Sequence, residues 1–75
     1  MIYKIWCAYY RDYFPDQDTI KNAIDYALLK HIDSHDKFVE GIGLVSTCCS
    51  VRYDGIELTT EDLIRSKLIT MELME

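Results

Sequence analysis

The chain reads as an α+β domain, a small sheet with helices packed on one face. Three observations lead there. Residues 2–10 alternate between two apolar-rich faces, as a strand does. From Asp16 the apolar spacing lengthens to that of a helix. The dipeptide Asp54-Gly55 closes a run rich in β-branched residues with the signature of a type I′ hairpin turn.

In the first strand, Tyr3, Ile5, Cys7 and Tyr9 share one face, while Ile2, Lys4, Trp6, Ala8 and Tyr10 share the other. Pro15 ends this pattern, because proline has no donor and turns Phe14 away from helical dihedrals. The helix that follows, from about Asp16 to residue 33, places Ile20, Ala23, Ile24, Ala27, Leu28 and His31 on one side. Asp16 or Asp18 is its expected cap. "GLVSTCCSVRYDGIEL" then predicts one long strand, Leu44 to Tyr53, and a short return arm, Ile56 to Leu58. Counting by twos sets Val45, Thr47, Cys49, Val51 and Tyr53 inward and Ser46, Cys48, Ser50 and Arg52 outward. Gly41 and Gly43 relax the backbone ahead of it or allow a bulge. Thr59 or Thr60, with Glu61 and Asp62 in the first turn, starts a second helix over about 60–67. The tail "LITMELME" puts Ile69, Met71 and Leu73 on one side and reads as a last strand over 68–74, with continued helix the competing fit.

The resulting order, β-α-β-β-α-β, resembles the ferredoxin-like arrangement in its sequence of elements, with no shared motif. Seventy-five residues make a single domain over 1–75, which buries only a little over about 60% of its unfolded surface.

Composition excludes several function classes. The net charge is −5, from 13 acidic against 8 basic residues, and the bases lie singly along the chain. Nucleic-acid binding needs clustered Lys and Arg, so direct nucleic-acid contact is not expected. Nor is a membrane partner, since "MIYKIWCAYY" is too polar for a secretory core and no run approaches about 18 apolar residues. Cys7, Cys48 and Cys49 are odd in number with two adjacent, which reads as reduced thiols in a cytoplasmic protein.

Chemistry-bearing motifs are weak. His31 and His35 have a helix-face spacing, but Cys48 and Cys49, as neighbours on one strand, should point to opposite faces and cannot both ligate without a bulge. No metal ligand and no cofactor are assigned. Gly41-Ile42-Gly43 lacks the lysine and following helix of a phosphate loop. Glu61 and Asp62 are explained by capping, and no catalytic residue is assigned.

The strongest signal is aromatic. Trp6, Tyr9, Tyr10, Tyr13 and Phe14 crowd one short segment whose charges, Lys4 and Arg11 against Asp12 and Asp16, cancel. Base stacking wants cations around the rings, whereas protein interfaces favour Tyr and Trp for their area and polar tips. Trp6, Tyr10, Tyr13 and Phe14 have the least obvious internal cover and are the expected partner-binding residues. The expected function is a small acidic interaction protein, an inhibitor or adaptor, and not an enzyme. In composition it is similar in style to phage or mobile-element accessory proteins that block host or defence enzymes, including nucleic-acid-processing ones. The alternative is a homodimeric ligand-binding or minor catalytic domain with Cys48 or His31 in a cavity between subunits.

Overall fold

In the computed structural model, which describes residues 2–33 and 36–73, strand β1 (Lys4–Cys7) is shorter than its apolar alternation predicts. The chain reverses at Ala8–Arg11 instead of running on to Tyr10. Arg11 adopts a left-handed φ of 55° and its N–H donates to the Cys7 carbonyl at 2.8 Å. Strand β2 (Asp12–Tyr13) returns antiparallel, pairing Trp6 with Tyr13 and Cys7 with Asp12. Beyond it, Tyr3 and Gln17 exchange backbone hydrogen bonds at 2.8 and 3.0 Å. Pro15 thus lies on a sheet edge, where its missing donor costs no ladder bond.

Helix α1 (Ile20–Asp25) is capped by Thr19, not by Asp16 or Asp18: the Thr19 hydroxyl accepts from the Asn22 N–H at 3.1 Å. It continues as a π-helical segment, Tyr26–Lys30, and ends before His31, short of the expected residue 33. Strand β3 (Asp36–Val39) and strand β4 (Gly43–Ser46) form a hairpin that the sequence reading did not foresee. Its turn runs Val39-Glu40-Gly41-Ile42, with the Ile42 N–H donating to the Val39 carbonyl at 3.1 Å. Gly41 occupies the position that needs positive φ, at 93°.

The long strand expected over 44–53 is two strands in two sheets. β4 pairs only with β3, the chain bends at Thr47-Cys48, and β5 (Cys49–Tyr53) enters the larger sheet. β5 and β6 (Ile56–Leu58) form the expected hairpin, with Asp54 at φ 47° and Gly55 at φ 76°. The larger sheet has the order β2-β1-β5-β6 and every pair in it is antiparallel.

Helix α2 (Thr60–Leu73) takes up the tail expected to be a strand, as far as the described residues extend. Its start is held by Asp62, whose carboxylate accepts the Thr59 N–H at 3.1 Å and the Thr59 hydroxyl at 3.0 Å. The observed order is therefore β-β-α-β-β-β-β-α. The ferredoxin-like order is not reproduced, because it requires a terminal strand and an unbroken second one.

Buried Ile5, Cys7, Cys49 and Val51 of the sheet join Ala23, Ile24, Ala27 and Leu28 of the first helical stretch, Leu63 and Ile64 of α2, and Val45 in one core. Lys67 binds Asp25 at 2.7 Å and ties α2 to α1 beside it. The alternate sheet residues Lys4, Trp6, Tyr13, Ser50, Arg52 and Glu57 are exposed or half-buried and form the outer face. Among the described residues, no helix is long and apolar enough to cross a membrane.

Candidate functional site

Two groups of side chains stand out, one on each side of the larger sheet. On the inner side, Cys7, His31, Cys48 and Cys49 bring their sulfur and nitrogen atoms to within 4.8 Å of one another. Cys7 Sγ lies 3.5 Å from His31 Nε2 and 3.7 Å from Cys48 Sγ, and Cys48 Sγ lies 3.8 Å from Cys49 Sγ.

Each donor arrives by a different route. Cys7 is the last residue of β1 and faces inward in step with Ile5. His31 ends the π-helical segment, one turn beyond the buried Ala27 and Leu28, and is only 9% exposed. Cys49 opens β5 as the cross-strand partner of Cys7. Cys48 is the residue that strand parity would have turned outward. It points inward because it belongs to the bend between β4 and β5 and not to a strand. That bend is clamped: the Thr60 hydroxyl reaches the carbonyls of Thr47 at 3.2 Å and Cys49 at 3.3 Å, and the Ala8 N–H donates to the Cys48 carbonyl at 2.9 Å.

The sulfur atoms have polar company. The Tyr10 N–H donates to Cys7 Sγ at 3.4 Å, and Ser46 Oγ sits 3.3 Å from Cys48 Sγ. Tyr10 and Phe14 each place a ring 5.0 Å from the His31 ring. Burial, followed by the neighbouring thiols, pushes the Cys49 thiol well above its ordinary range. Cys48 and His31, the pair of the alternative catalytic reading, do come together. Cys7 and Cys49 share the same space. His35, the other half of the histidine spacing, lies outside the described residues.

On the outer side, Trp6 and Tyr13 meet edge to face at 5.0 Å, and the Arg52 guanidinium stands 5.6 Å over the Trp6 ring. Arg52 donates to the Tyr13 hydroxyl at 3.3 Å and to Glu57 Oε1 at 3.0 Å, and Ser50 Oγ donates to the same oxygen at 3.0 Å. These bonds hold the Glu57 carboxyl below the usual carboxylate range, with Ser50 the larger cause and Arg52 next. A shallow groove of about 470 Å³ runs alongside, lined by Ile2, Lys4, Asp16, Arg52, Tyr53, Asp54 and Gly55. It shares no residue with the thiol cluster.

The four residues expected to bind a partner are thus divided. Trp6 and Tyr13, the latter 47% exposed, belong to the outer face. Tyr10 is 58% exposed at the tip of the β1–β2 turn, on the side of His31. Phe14 packs against the core between Tyr26, at 5.3 Å, and His31. Arg52, which the sequence reading left as an ordinary outward residue, is the centre of the outer cluster. Its position opposite Lys4, beside Trp6, is set by the pairing of β1 with β5, which left no signal in the sequence. For Cys48 the signal was Ser46-Thr47, hydroxyl residues that offer the backbone bonds outside a ladder. No protein-family profile, curated protein or solved structure matches this chain.

Proposed function

We propose that this chain is a small binding module that acts by occupying a surface on a larger protein, as an inhibitor or an adaptor, with the outer face of its sheet as the contact. The observation that carries the reading is the cluster of Trp6, Tyr13 and Arg52 on a sheet face outside the core. Trp, Tyr and Arg are the residues that dominate interface energetics, because each covers a large area and keeps a polar end. Here their mutual contacts hold them in place before any partner arrives, which lowers the ordering cost of association. Lys4, Ser50 and Glu57 around them supply a polar rim.

The overall charge of −5 suits a partner with a basic groove, and steers it by long-range attraction. A nucleic-acid-processing enzyme, in host or defence machinery, is the partner class with such a groove. Arg52 faces Glu57 and Lys4 stands alone beside it, so the face lacks the cationic surround of a base-stacking platform.

The test is capture of a partner from cell lysate by the tagged chain, repeated with Trp6→Ala/Tyr13→Ala and with Arg52→Ala. Loss of the captured protein by each variant, with circular dichroism unchanged, is the expected result, and each costs at least about tenfold in affinity. Undiminished capture by the folded variants moves the interface elsewhere. Fluorescence anisotropy with single-stranded DNA and RNA is expected to show no binding at physiological salt. Salt-sensitive binding would replace the protein partner with a nucleic acid.

A further inference from the structure

We infer that Cys7, His31, Cys48 and Cys49 form a closed, four-ligand zinc site that fastens the sheet to the end of the first helical stretch. Zinc holds sulfur at about 2.3 Å and imidazole nitrogen at about 2.0–2.1 Å in a tetrahedron, which sets the tetrahedron's edges near ~3.8 Å for S···S and near ~3.5 Å for S···N. Three of the six separations, at 3.7, 3.8 and 3.5 Å, match those edges, and the rest lie within 4.8 Å. A metal ion would enter by drawing the four donors together by about 1 Å or less.

The donor set points the same way. Three thiolates and an imidazole form one of the recurring structural zinc shells, and soft sulfur selects zinc over magnesium or calcium. A disulfide would need two of these residues and would leave a thiol and an imidazole gathered at the same point. A plain apolar core would need none of them, since Val or Leu fills such a site without polar atoms. The surroundings fit bound thiolate as well: the Tyr10 N–H is directed at Cys7 Sγ and Ser46 Oγ at Cys48 Sγ, as outer-shell donors to ligating sulfur are. A divalent charge at the centre favours the thiolate form of the sulfurs that bind it.

Binding balances simply. Zn²⁺ displaces one proton from each of the cysteine thiols, binds the neutral imidazole through Nε2, and leaves the centre with a single negative charge. All four positions are taken by the protein, so the ion is structural and no open position remains for a substrate. Cys48, half-buried, gives the route of entry. The ligands span 24 residues from Cys7 to His31 and 41 from Cys7 to Cys48, so a single ion closes the chain over most of its length.

The experiment titrates the 75-residue chain, reduced, with zinc chloride and with cobalt chloride. The expected results are one zinc per chain by elemental analysis, a cobalt spectrum with tetrahedral d–d bands and thiolate charge transfer, and a Tm that rises with zinc and falls with excess chelator. Cys48→Ser is the informative variant because its half-exposed position lets the fold survive. It should bind cobalt at least about 100-fold more weakly and lose charge-transfer intensity. His31→Cys should keep zinc while shifting the cobalt spectrum, whereas His31→Ala should not keep it. A folded, reduced chain that takes up neither metal overturns the assignment. So does zinc binding unaffected by Cys48→Ser, or a Cys7–Cys49 disulfide in a metal-free chain purified without reductant. These readouts need no binding partner and are independent of the outer sheet face.

Discussion

Arg52 shows how one side chain can organise a surface. It is held by Glu57 and Tyr13 and lies over Trp6, so the rotamers of all of them are coupled. Glu57 carries a testable sign. Its folded carboxyl is held below the ordinary range, so the pair's contribution is present above the unfolded pKa and is lost as pH falls through the folded one. An NMR pH titration of the Glu57 carboxyl should give a midpoint below that of an ordinary glutamate, and Arg52→Gln should move it upward. A midpoint unmoved by the substitution would mean that Ser50 alone sets it. Phe14 marks the limit of composition at this scale: a ring beside a proline looked exposed, and its place against Tyr26 and His31 depends on where the distant helix ends.

The elements depart from the sequence reading for identifiable reasons. A strand needs a partner at its edge, whereas a helix satisfies its own backbone. The residues from Leu68 to Leu73 extend α2 and add no strand to a sheet edge: the helix, already capped at Thr59 and Asp62, continues through them. The split of 44–53 is the larger change, because it turns Cys48 from an outward residue into an inward one. The β3–β4 hairpin that creates the split depends on Gly41. A Cβ there would meet Leu68 Cδ2 at 3.3 Å and carry a φ of 93° that L-residues avoid. Gly41→Ala is expected to cost roughly 1–2 kcal/mol in urea unfolding, with the steeper loss in the protection of β3 and β4 amides from hydrogen exchange. An unchanged midpoint would show that the turn can be rebuilt without the left-handed residue.

For the molecule as a whole, the core is a single small cluster, and a chain of 75 residues has a total stability of only about 4–11 kcal/mol. Leu28 is fully buried at its centre. Leu28→Ala should remove about 2–5 kcal/mol, a large part of the total, and chemical denaturation would read it as a fall in midpoint at nearly constant slope. A loss under about 1 kcal/mol would mean that neighbouring side chains collapse into the space. A core this small gives a metal cross-link value, since domains near this size commonly add a disulfide, a metal or a second subunit.

Features whose cause lies within a few residues were legible in the sequence: the α+β class, the Asp54-Gly55 hairpin, the first helix with its apolar side, the start of the second helix, and the shared face of Ile5 and Cys7. Tertiary structure decided what depends on partners far along the chain. It ended β1 at Cys7, broke the strand at Thr47-Cys48, extended α2, sorted Trp6 and Tyr13 from Tyr10 and Phe14, and drew His31 and the cysteines to one point. The physical reason is that strand pairing and donor convergence are settled by long-range contacts. Residue types and local spacing specify neither which edge a strand meets nor which side chains arrive at the same place.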